Sequence, residues 1–434
     1  MFVKRFQLGL IHTAVAMTLV PINSTLNRVM IKELAVSATL VAVLASLPYL
    51  FSPIQVAIGS FSDRHPLFGW RRSPYILLGL LLCVFGVVLA PEAAFLLGER
   101  SLAGLGLAAL AFGAWGMGYN LAAVCYLSLA SELSGEAGRS RTIAVMWFMM
   151  IVGIILTAVG LSYLVDPYTA GALKRAFWIV GLGALVLGLL GLVRLEPRSA
   201  EIKSKGDELS WLAMARVIKG NPQAAFFFWY LIILLAALLG QDILLEPYGG
   251  EAFGMTVRET TRITSLWGGM VLLAFIVAGA LDGKLAKKTV ARLGGWSAVI
   301  GFGLIAISGF LSNLGLFYSG IVLLGFGTGL STVSNLGIML DMTIAGSVGL
   351  FIGVWGMASA ISRLMGSVLG GAVRDVITQI SQSPLAGYIV VFASEGCFLL
   401  VSLIMLRKVN VLAFHEDSGD GPSMMEKTAI AGDV

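Results

Sequence analysis

The sequence predicts an all-α integral membrane protein with twelve transmembrane helices in two six-helix halves. Of its 434 residues, 58% are hydrophobic and only 12% are charged, and the mean hydropathy is +0.91, which lies outside the range of soluble domains. Twelve apolar stretches each have the roughly 20 residues that a helix needs to cross a hydrocarbon layer about 30 Å thick. One long polar break near the middle of the chain leaves six stretches on each side.

Each apolar stretch predicts one spanning helix, and their order gives the domain organisation. The first stretch follows only Lys4 and Arg5 and has no small-residue cleavage site, so we interpret it as a retained helix rather than a signal peptide. The stretches are centred near residues 16, 49, 82, 115, 151, 184, 233, 270, 302, 328, 358 and 396. The predicted parts are an N-terminal half at 1–195, a cytoplasmic linker at 196–222, a C-terminal half at 223–409 and a disordered cytoplasmic tail at 410–434. The tail's Ser, Gly, Asp and Glu content offers no apolar face to bury.

The distribution of basic residues predicts the orientation in the membrane. When the 29 Lys and Arg residues are threaded through twelve spans, 20 fall on one face and 8 on the other, with Arg363 inside a span. By the positive-inside rule both termini are cytoplasmic. The isoelectric point near 9.1 then follows from topology, and no basic stripe with interleaved aromatic residues points to nucleic-acid binding.

A dense charged loop, DRHPLFGWRR at 63–72, lies between the second and third predicted spans. An acid followed by arginine, a compact turn and a second arginine pair resembles the loop that the major facilitator superfamily carries between its second and third helices. A weaker copy, AGALD at 278–282 followed by a basic turn, comes after the eighth span. The resemblance implies a major-facilitator-like fold with two halves related by an axis along the membrane normal.

Two acidic residues extend the similarity between the two halves of the chain. Glu132 follows the Gly-Met-Gly of the fourth span and Asp341 follows the Gly-Thr-Gly of the tenth, so each fourth helix is predicted to end in an acid on the cytoplasmic side. In the superfamily such acids face the basic loop of the same half and latch the cytoplasmic gate at a partly dehydrated surface. A solvated charge at a helix end is the alternative. The residues predicted for the gate are Asp63, Arg64, Arg71, Arg72, Glu132, Asp282, Lys284 and Asp341.

Polar side chains inside the apolar spans are candidates for ligand contact, because an uncompensated polar group in hydrocarbon is costly and tends to face an interior cavity. These candidates are His12, Asn120, Gln241, Asp242 and Arg363. The spans carry no ladder of several acids with a partner base, which weakens the case for an ordinary proton-coupled transporter. His12 is a candidate magnesium ligand for a chlorophyll-type ring through a neutral imidazole nitrogen, with an interfacial hydrogen-bonding role as the alternative.

The segment QDILLEPYGGEAFG at 241–254 leaves the seventh span on the non-cytoplasmic side. Pro247 fixes a backbone dihedral and is expected to end the helix, while Gly249 and Gly250 permit turn conformations. The segment therefore predicts a shaped loop that presents the carboxylates of Glu246 and Glu251 to a partner or pigment, together with Tyr248. A simple helix-capping turn is the alternative.

The pairing of Asp-Arg-His-Pro-x-x-Gly-Trp-Arg-Arg-x-Pro-Tyr at 63–75 with Leu-Glu-Pro-Tyr-Gly-Gly-Glu at 245–251 resembles the PucC and LhaA group of photosynthetic membrane proteins. The resemblance covers nearly the whole chain. It implies a major-facilitator-like protein that assembles light-harvesting, chlorophyll-binding antenna complexes by handling or delivering (bacterio)chlorophyll or nascent antenna helices. The implied partners are antenna polypeptides, a chlorophyll-type pigment and the lipid bilayer of a thylakoid or intracytoplasmic photosynthetic membrane.

Two other function classes compete with antenna assembly. The fold alone favours a secondary transporter of an amphipathic small molecule, although fold is a poor guide to function. An enzyme of chlorophyll synthesis, as an older label for this group suggests, is disfavoured because the sequence has no nucleophile–base pair, metal cluster or Asp-rich diphosphate site. Cys83, Cys125 and Cys397 lie in separate spans, without metal-ligand spacing, and are interpreted as packing residues. We therefore expect no catalytic residues, no metal site and no covalent cofactor; a bound (bacterio)chlorophyll is the cofactor that the resemblance implies.

Overall fold

The computed structural model describes residues 2–198, 220–343 and 348–417. Within these ranges the regular secondary structure is helical, with one isolated antiparallel bridge between Leu67 and Trp70. Most of the predicted linker lies outside the described residues. The predicted all-α membrane fold is confirmed, since ten helices in the described ranges are long and apolar enough to cross a membrane.

The first helix is extended by irregular turns that matter for the site described below. After Met17 it continues through the short turn Leu19–Pro21 and two π-helical segments, Ile22–Leu26 and Val29–Glu33, to complete a candidate span. The helices of this half are α1 (Phe2–Met17), α2 (Ala38–Ala45), α3 (Leu47–Leu50), α4 (Ile54–Arg64), α5 (Ser73–Gly98), α6 (Leu102–Leu164) and α7 (Ala170–Leu192).

The second half has the same alternation of long helices and short connections. Its helices are α8 (Pro222–Gly240), α9 (Leu245–Phe253), α10 (Val257–Leu281), α11 (Lys287–Phe310), α12 (Leu314–Asp341), α13 (Val348–Ser381), α14 (Pro384–Lys408) and α15 (Val411–Asp417). A single-turn 3₁₀ segment, Gln241–Ile243, joins α8 to α9.

The structure has ten candidate spans in its described ranges, whereas the sequence predicts twelve. The two predicted spans that are not among the ten are the second and the eleventh. The second predicted span is divided into α2, α3 and α4, because Pro48 and Pro53 cannot donate the hydrogen bonds of a continuous helix. The eleventh is present as α13, a 34-residue helix that is not among the ten. The long run α6 supplies two spans, since Gly135 breaks it with a φ of 62°.

The described residues divide into two compact units. One contains 2–198 together with Asp242–Ser265, and the other contains 220–241 and the described part of 266–417. The helix α9 and the first turns of α10 thus belong with the N-terminal half in contacts, although they follow the linker in sequence. The polar residues that make these contacts are described with the candidate site.

Glycine contacts set the closest helix packing in each unit. A Cβ atom added to Gly118 of α6 would lie 2.5 Å from the carbonyl oxygen of Gly79 on α5. In the other unit, a Cβ on Gly327 of α12 would lie 2.5 Å from the carbonyl oxygen of Gly294 on α11. Small residues allow such close approach in lipid, where burial of apolar surface gives no driving force. The third and fourth helices of both halves therefore pack by the same means.

Gly118→Ala is expected to destabilise the protein by about 1 to 3 kcal/mol, because the added methyl group must push α5 away from α6. The measurement is the thermal unfolding midpoint in mild detergent. The matched control is Gly113→Ala on the same helix, where nothing lies within 4 Å of the added atom. Equal midpoints for the two variants would contradict the packing role of Gly118.

The predicted disorder of the tail is wrong at its beginning. Residues Val411–Asp417 form α15, in which Phe414 is 1% exposed. The Asn221 side chain donates a hydrogen bond to the Phe414 carbonyl at 3.0 Å, and the His415 ring nitrogen lies 2.9 Å from the Asp341 carbonyl. The polar composition of the tail concealed this short docking segment because it has a single large aromatic residue. Residues 418–434 lie outside the described ranges.

Candidate functional site

Three of the predicted gate residues in the first half meet around Arg72, the last residue before α5. The Arg72 side chain is 5% exposed, and its Nη2 lies 2.5 Å from Asp63 Oδ1 and 3.3 Å from Glu132 Oε1. Arg71 adds an ion pair to Glu132 at 2.9 Å. Arg64 is exposed at the end of α4. The cluster therefore joins the end of α4, the start of α5 and the middle of α6.

Glu196 completes this cluster and was missed by sequence reasoning. Its carboxylate, in a residue that is only 9% exposed, accepts hydrogen bonds from the backbone N–H groups of Arg71, Arg72 and Ser73. Those donors lie at the N-terminus of α5, where an anion is favoured by the helix dipole. Glu196 falls at the first position of the predicted linker, so nothing in its sequence surroundings pointed to the charged loop.

The second half has a simpler charge pair. Lys287 Nζ lies 2.7 Å from both carboxylate oxygens of Asp341. Asp282 and Lys284 are exposed, so the predicted basic partner of Asp341 is corrected from Lys284 to Lys287. Lys287 is the first residue of α11, which places it at the same point of its half as Arg72.

Each charge cluster connects helices of its own unit: the Arg72 cluster lies in the first unit, and the Lys287–Asp341 pair lies in the second. The prediction that they also hold the two halves together at a cytoplasmic gate stays a prediction.

His12 lies on α1 against aromatic side chains. It is 7% exposed, its ring centroid is 5.0 Å from that of Tyr126, and the Trp147 ring meets it edge-on at 6.3 Å. Its Nδ1 atom is buried and has no hydrogen-bond partner among the described residues. Trp147 itself is 44% exposed. The arrangement leaves one buried imidazole nitrogen without a hydrogen-bond partner among the described residues, beside a partly exposed aromatic ring.

Asn120 has a structural role in place of the predicted ligand contact. Its Nδ2 donates to the carbonyl oxygens of Pro48 at 2.7 Å and Gly116 at 2.8 Å, and its Oδ1 accepts a bond from Gln55 at 2.5 Å. These contacts compensate for the helix break at Pro48 and use the whole amide group. The prediction that Asn120 contacts a pigment or partner is therefore not supported by its geometry.

The segment after α8 is a buried helix, so the predicted loop is wrong. Pro247 is the third residue of α9, in the first turn, where the missing N–H group breaks no intrahelical bond. Glu246 is 3% exposed and Tyr248 is 0% exposed, so neither presents itself at the surface as a partner contact. Glu251, on the next turn, is exposed and keeps that role as a candidate.

The buried carboxyl group of Glu246 is held by hydroxyl groups from two other segments. The Ser24 and Thr264 hydroxyls each donate to Oε1 at 2.5 Å, whereas Oε2 has no hydrogen-bond partner among the described residues. Glu246 lies outside the ten candidate spans, and burial raises the pKa of its carboxyl group to about 7. A second hydroxyl contact, between Thr25 and Thr261 at 2.9 Å, joins the same segments.

Arg28 interacts electrostatically with this carboxyl group and lies on the helical residues between the two π-helical segments. It is 2% exposed, forms an ion pair with Glu33 and donates to the Met255 carbonyl at 2.9 Å. Lys32 donates to the carbonyl of Gly250 on α9. The sequence analysis did not identify Arg28 or Lys32 as site residues. The polar run from Asn23 to Arg28 is the signal that could have shown that this part of the span does not face lipid.

A cavity of about 390 Å³ opens beside Arg28 within the same unit. Three of its lining residues are cations and two are acids: Arg28, Lys32, Arg258, Glu33 and Asp166. Asp166 pairs with Arg258 at 2.5 Å. The volume suits a small molecule, but the charged lining suits a polar or anionic group better than an apolar macrocycle.

The remaining candidates fall in different units. Asp242 belongs to the first unit and is partly exposed. Gln241, which is 2% exposed, and Arg363, which is half-buried on α13, belong to the second. Of the eight predicted contact residues, Glu251 is exposed, Asp242 and Arg363 are half-buried, and the other five are buried.

Comparison with known proteins gives consistent results over nearly the full length. A solved structure of a mutant of the nucleoside transporter NupG has a TM-score of 0.73 over 94% of this chain and 99% of that chain, at 13% identity, which shows the fold alone. Protein PucC of Cereibacter sphaeroides is 31% identical over 93% of this chain and 91% of the relative. A Rhodobacter capsulatus protein named bacteriochlorophyll synthase 44.5 kDa chain is 29% identical over 93% of this chain and 94% of the relative. The family model described as PUCC protein matches residues 25–414, and the chain belongs to this family of multi-pass membrane proteins.

Proposed function

We propose that this chain is a membrane assembly factor for photosynthetic antenna complexes, which handles or delivers (bacterio)chlorophyll or holds nascent antenna helices. The observation that carries the proposal is the match to the PUCC family across residues 25–414. The similarity to a PucC protein covers more than nine-tenths of both chains, so it applies to the whole membrane-embedded body rather than to one motif.

His12 supports a pigment-handling role. A neutral imidazole nitrogen without another partner is the donor that a chlorophyll-type magnesium ion accepts, and Nδ1 of His12 meets that description. The exposed Trp147 ring lies beside it and would offer a stacking surface to a flat ring. The pigment would supply the light-absorbing group, and His12 would hold and orient it.

Glu251 supports a partner-binding role. It is exposed on α9, where it can accept a hydrogen bond from a basic flank of an antenna helix. A hydrogen bond to a charged group contributes about 1.5 to 3 kcal/mol. We propose this surface, on the non-cytoplasmic side of a photosynthetic membrane with both termini cytoplasmic, as the point of polypeptide contact.

We propose that the protein does not catalyse chlorophyll synthesis, although one relative bears a synthase name. The described residues contain no group of three or more His, Cys, Asp or Glu side chains that could hold a metal ion. The acids that cluster at Arg72 are engaged with arginine side chains.

A secondary transporter of an amphipathic small molecule is the second candidate. The cavity beside Arg28 favours it, because its charged lining can bind the polar part of a small molecule. The likeness to a solved transporter does not decide the matter, since a common fold serves many functions.

Affinity purification of the tagged protein from mild detergent tests the proposal. The proposed function predicts co-purified chlorophyll-type pigment, seen in the absorption spectrum, and antenna polypeptides, seen by mass spectrometry. His12→Ala should lose most of the pigment, whereas His65→Ala, in an exposed loop, should retain it. If the purified protein is colourless and takes up an amphipathic solute in vesicles, the assembly function is wrong and the transporter function is supported.

A further inference from the structure

Glu246 is a buried acid whose surroundings do not satisfy a negative charge. Among the described residues, no cation is bonded to its carboxyl group, and only Oε1 has hydrogen-bond donors, Ser24 and Thr264. An uncompensated carboxylate is strongly disfavoured in a dry site, whereas a neutral carboxylic acid is tolerated. The geometry therefore fits the protonated form.

Arg28 interacts electrostatically with Glu246, but its guanidinium is already bonded to other groups. Its Nη1 pairs with Glu33 and its Nη2 donates to Met255, while its Nε is buried without a partner among the described residues. A Cβ atom on Gly250 would lie 3.2 Å from that Nε. Gly250 is one helical turn beyond Glu246 on α9 and on the same face of that helix, so the Arg28 guanidinium packs against the face that carries Glu246.

The backbone around Arg28 is irregular. It lies between the π-helical segments Ile22–Leu26 and Val29–Glu33, and π-helical turns are frequent at functional sites. Glycine at position 250 leaves the space against α9 in which the guanidinium lies.

We propose that Glu246 is a proton-binding site, and that release of its proton transfers Arg28 from Glu33 to Glu246. The proton passes to water, the carboxylate remains on Glu246, and Arg28 stays charged throughout. This inference goes beyond the proposed function and does not rest on it.

The other charged and titratable groups around this site set its behaviour. The first span contributes Arg28, Lys32 and Glu33, and α9 itself contributes Glu251; α10 contributes the uncharged Thr264. Tyr168, after α6, interacts electrostatically with Glu33 and Arg28. Because Arg28, Lys32 and Glu33 also line the cavity, proton occupancy of Glu246 would change the charge arrangement that a polar ligand meets there.

Infrared difference spectroscopy of the purified full chain tests the proposal directly, because a protonated carboxyl group has a carbonyl stretch that its carboxylate lacks. Across a pH series, the wild type is expected to show such a band that titrates well above the ordinary Glu value of 4.5. Glu246→Gln should remove the contribution of this carboxyl group to the band, and Glu259→Gln, the control at an exposed position on α10, should retain it. A band of equal amplitude in wild type and Glu246→Gln, or a difference band that titrates near the ordinary value, would overturn the proposal. The buried acid Glu395 contributes equally to both proteins and cancels in the difference.

Glu33→Gln tests the exchange of Arg28. Without its present partner, Arg28 is free to stabilise the carboxylate of Glu246, so the midpoint of the band should move to lower pH. An unchanged midpoint would overturn the transfer step. Should Glu246→Gln fail to fold, Thr264→Val provides the second test of the assignment: it removes a hydrogen bond to Oε1 and should move the midpoint to higher pH, and an unmoved band would mean that it belongs to another acid.

Discussion

Arg72→Ala is expected to destabilise the protein by about 3 kcal/mol, the lower end of the range for a broken buried ion pair. The Arg72 side chain is 5% exposed, whereas Asp63 and Glu132 are about one-third exposed, so water partly solvates the acids that lose their partner. The loss also removes a 2.6 Å hydrogen bond to the Ser62 hydroxyl. Unfolding in detergent, followed by temperature or denaturant, gives the measurement.

Two further variants separate this cluster from a general charge effect. Arg64→Ala removes an exposed arginine from the same loop and should change stability by less than about 0.5 kcal/mol. Asp63→Asn should raise the accessibility of cysteines introduced at the cytoplasmic side if the cluster latches the gate. If the Arg72 and Arg64 variants are equally stable, the ion-pair cluster around Arg72 does not stabilise the fold.

The unfolding free energy is expected to depend on pH through the buried carboxyl group of Glu246. The folded-state pKa of Glu246, about 7, lies above the ordinary value of 4.5, so the folded protein binds this proton more tightly than the unfolded chain. The stabilisation is fully present below pH 4.5 and is lost as the pH rises through 7. At about 1.4 kcal/mol for each pKa unit, the loss amounts to about 3 kcal/mol.

The test compares wild type with Glu246→Gln over that pH window. The wild-type unfolding free energy should fall from pH 4.5 to 7 relative to that of the variant, because glutamine carries no titrating proton. The difference between the two proteins cancels contributions from other groups. A difference that stays constant, or that changes in the opposite direction, would show that Glu246 is not a protonated buried acid.

The sequence predicted the parts of this fold that depend on local composition. Apolar length identified the spans, and the charged loop at 63–72 correctly grouped Asp63, Arg71 and Arg72. These features are predictable because the relevant residues lie close together or repeat at regular intervals in the chain.

The errors arose where distant segments determine the environment. Pro247 was interpreted as a helix end, but it occupies the first turn of α9, where proline is tolerated. Glu246 was assigned to the surface, whereas Ser24, 222 residues away, binds its carboxyl group. Lys287 replaced Lys284 because the helix start, three residues later, decides which lysine reaches Asp341. No local pattern carries that information.

The role in antenna assembly is tested by the amount of assembled antenna complex in a host photosynthetic strain that lacks this gene. We expect a fall in antenna absorbance that the wild-type gene restores, and that His12→Ala restores less well than His65→Ala. In the deletion strain, antenna polypeptides should still be synthesised but should then be degraded. Normal antenna assembly in that strain would contradict the claim.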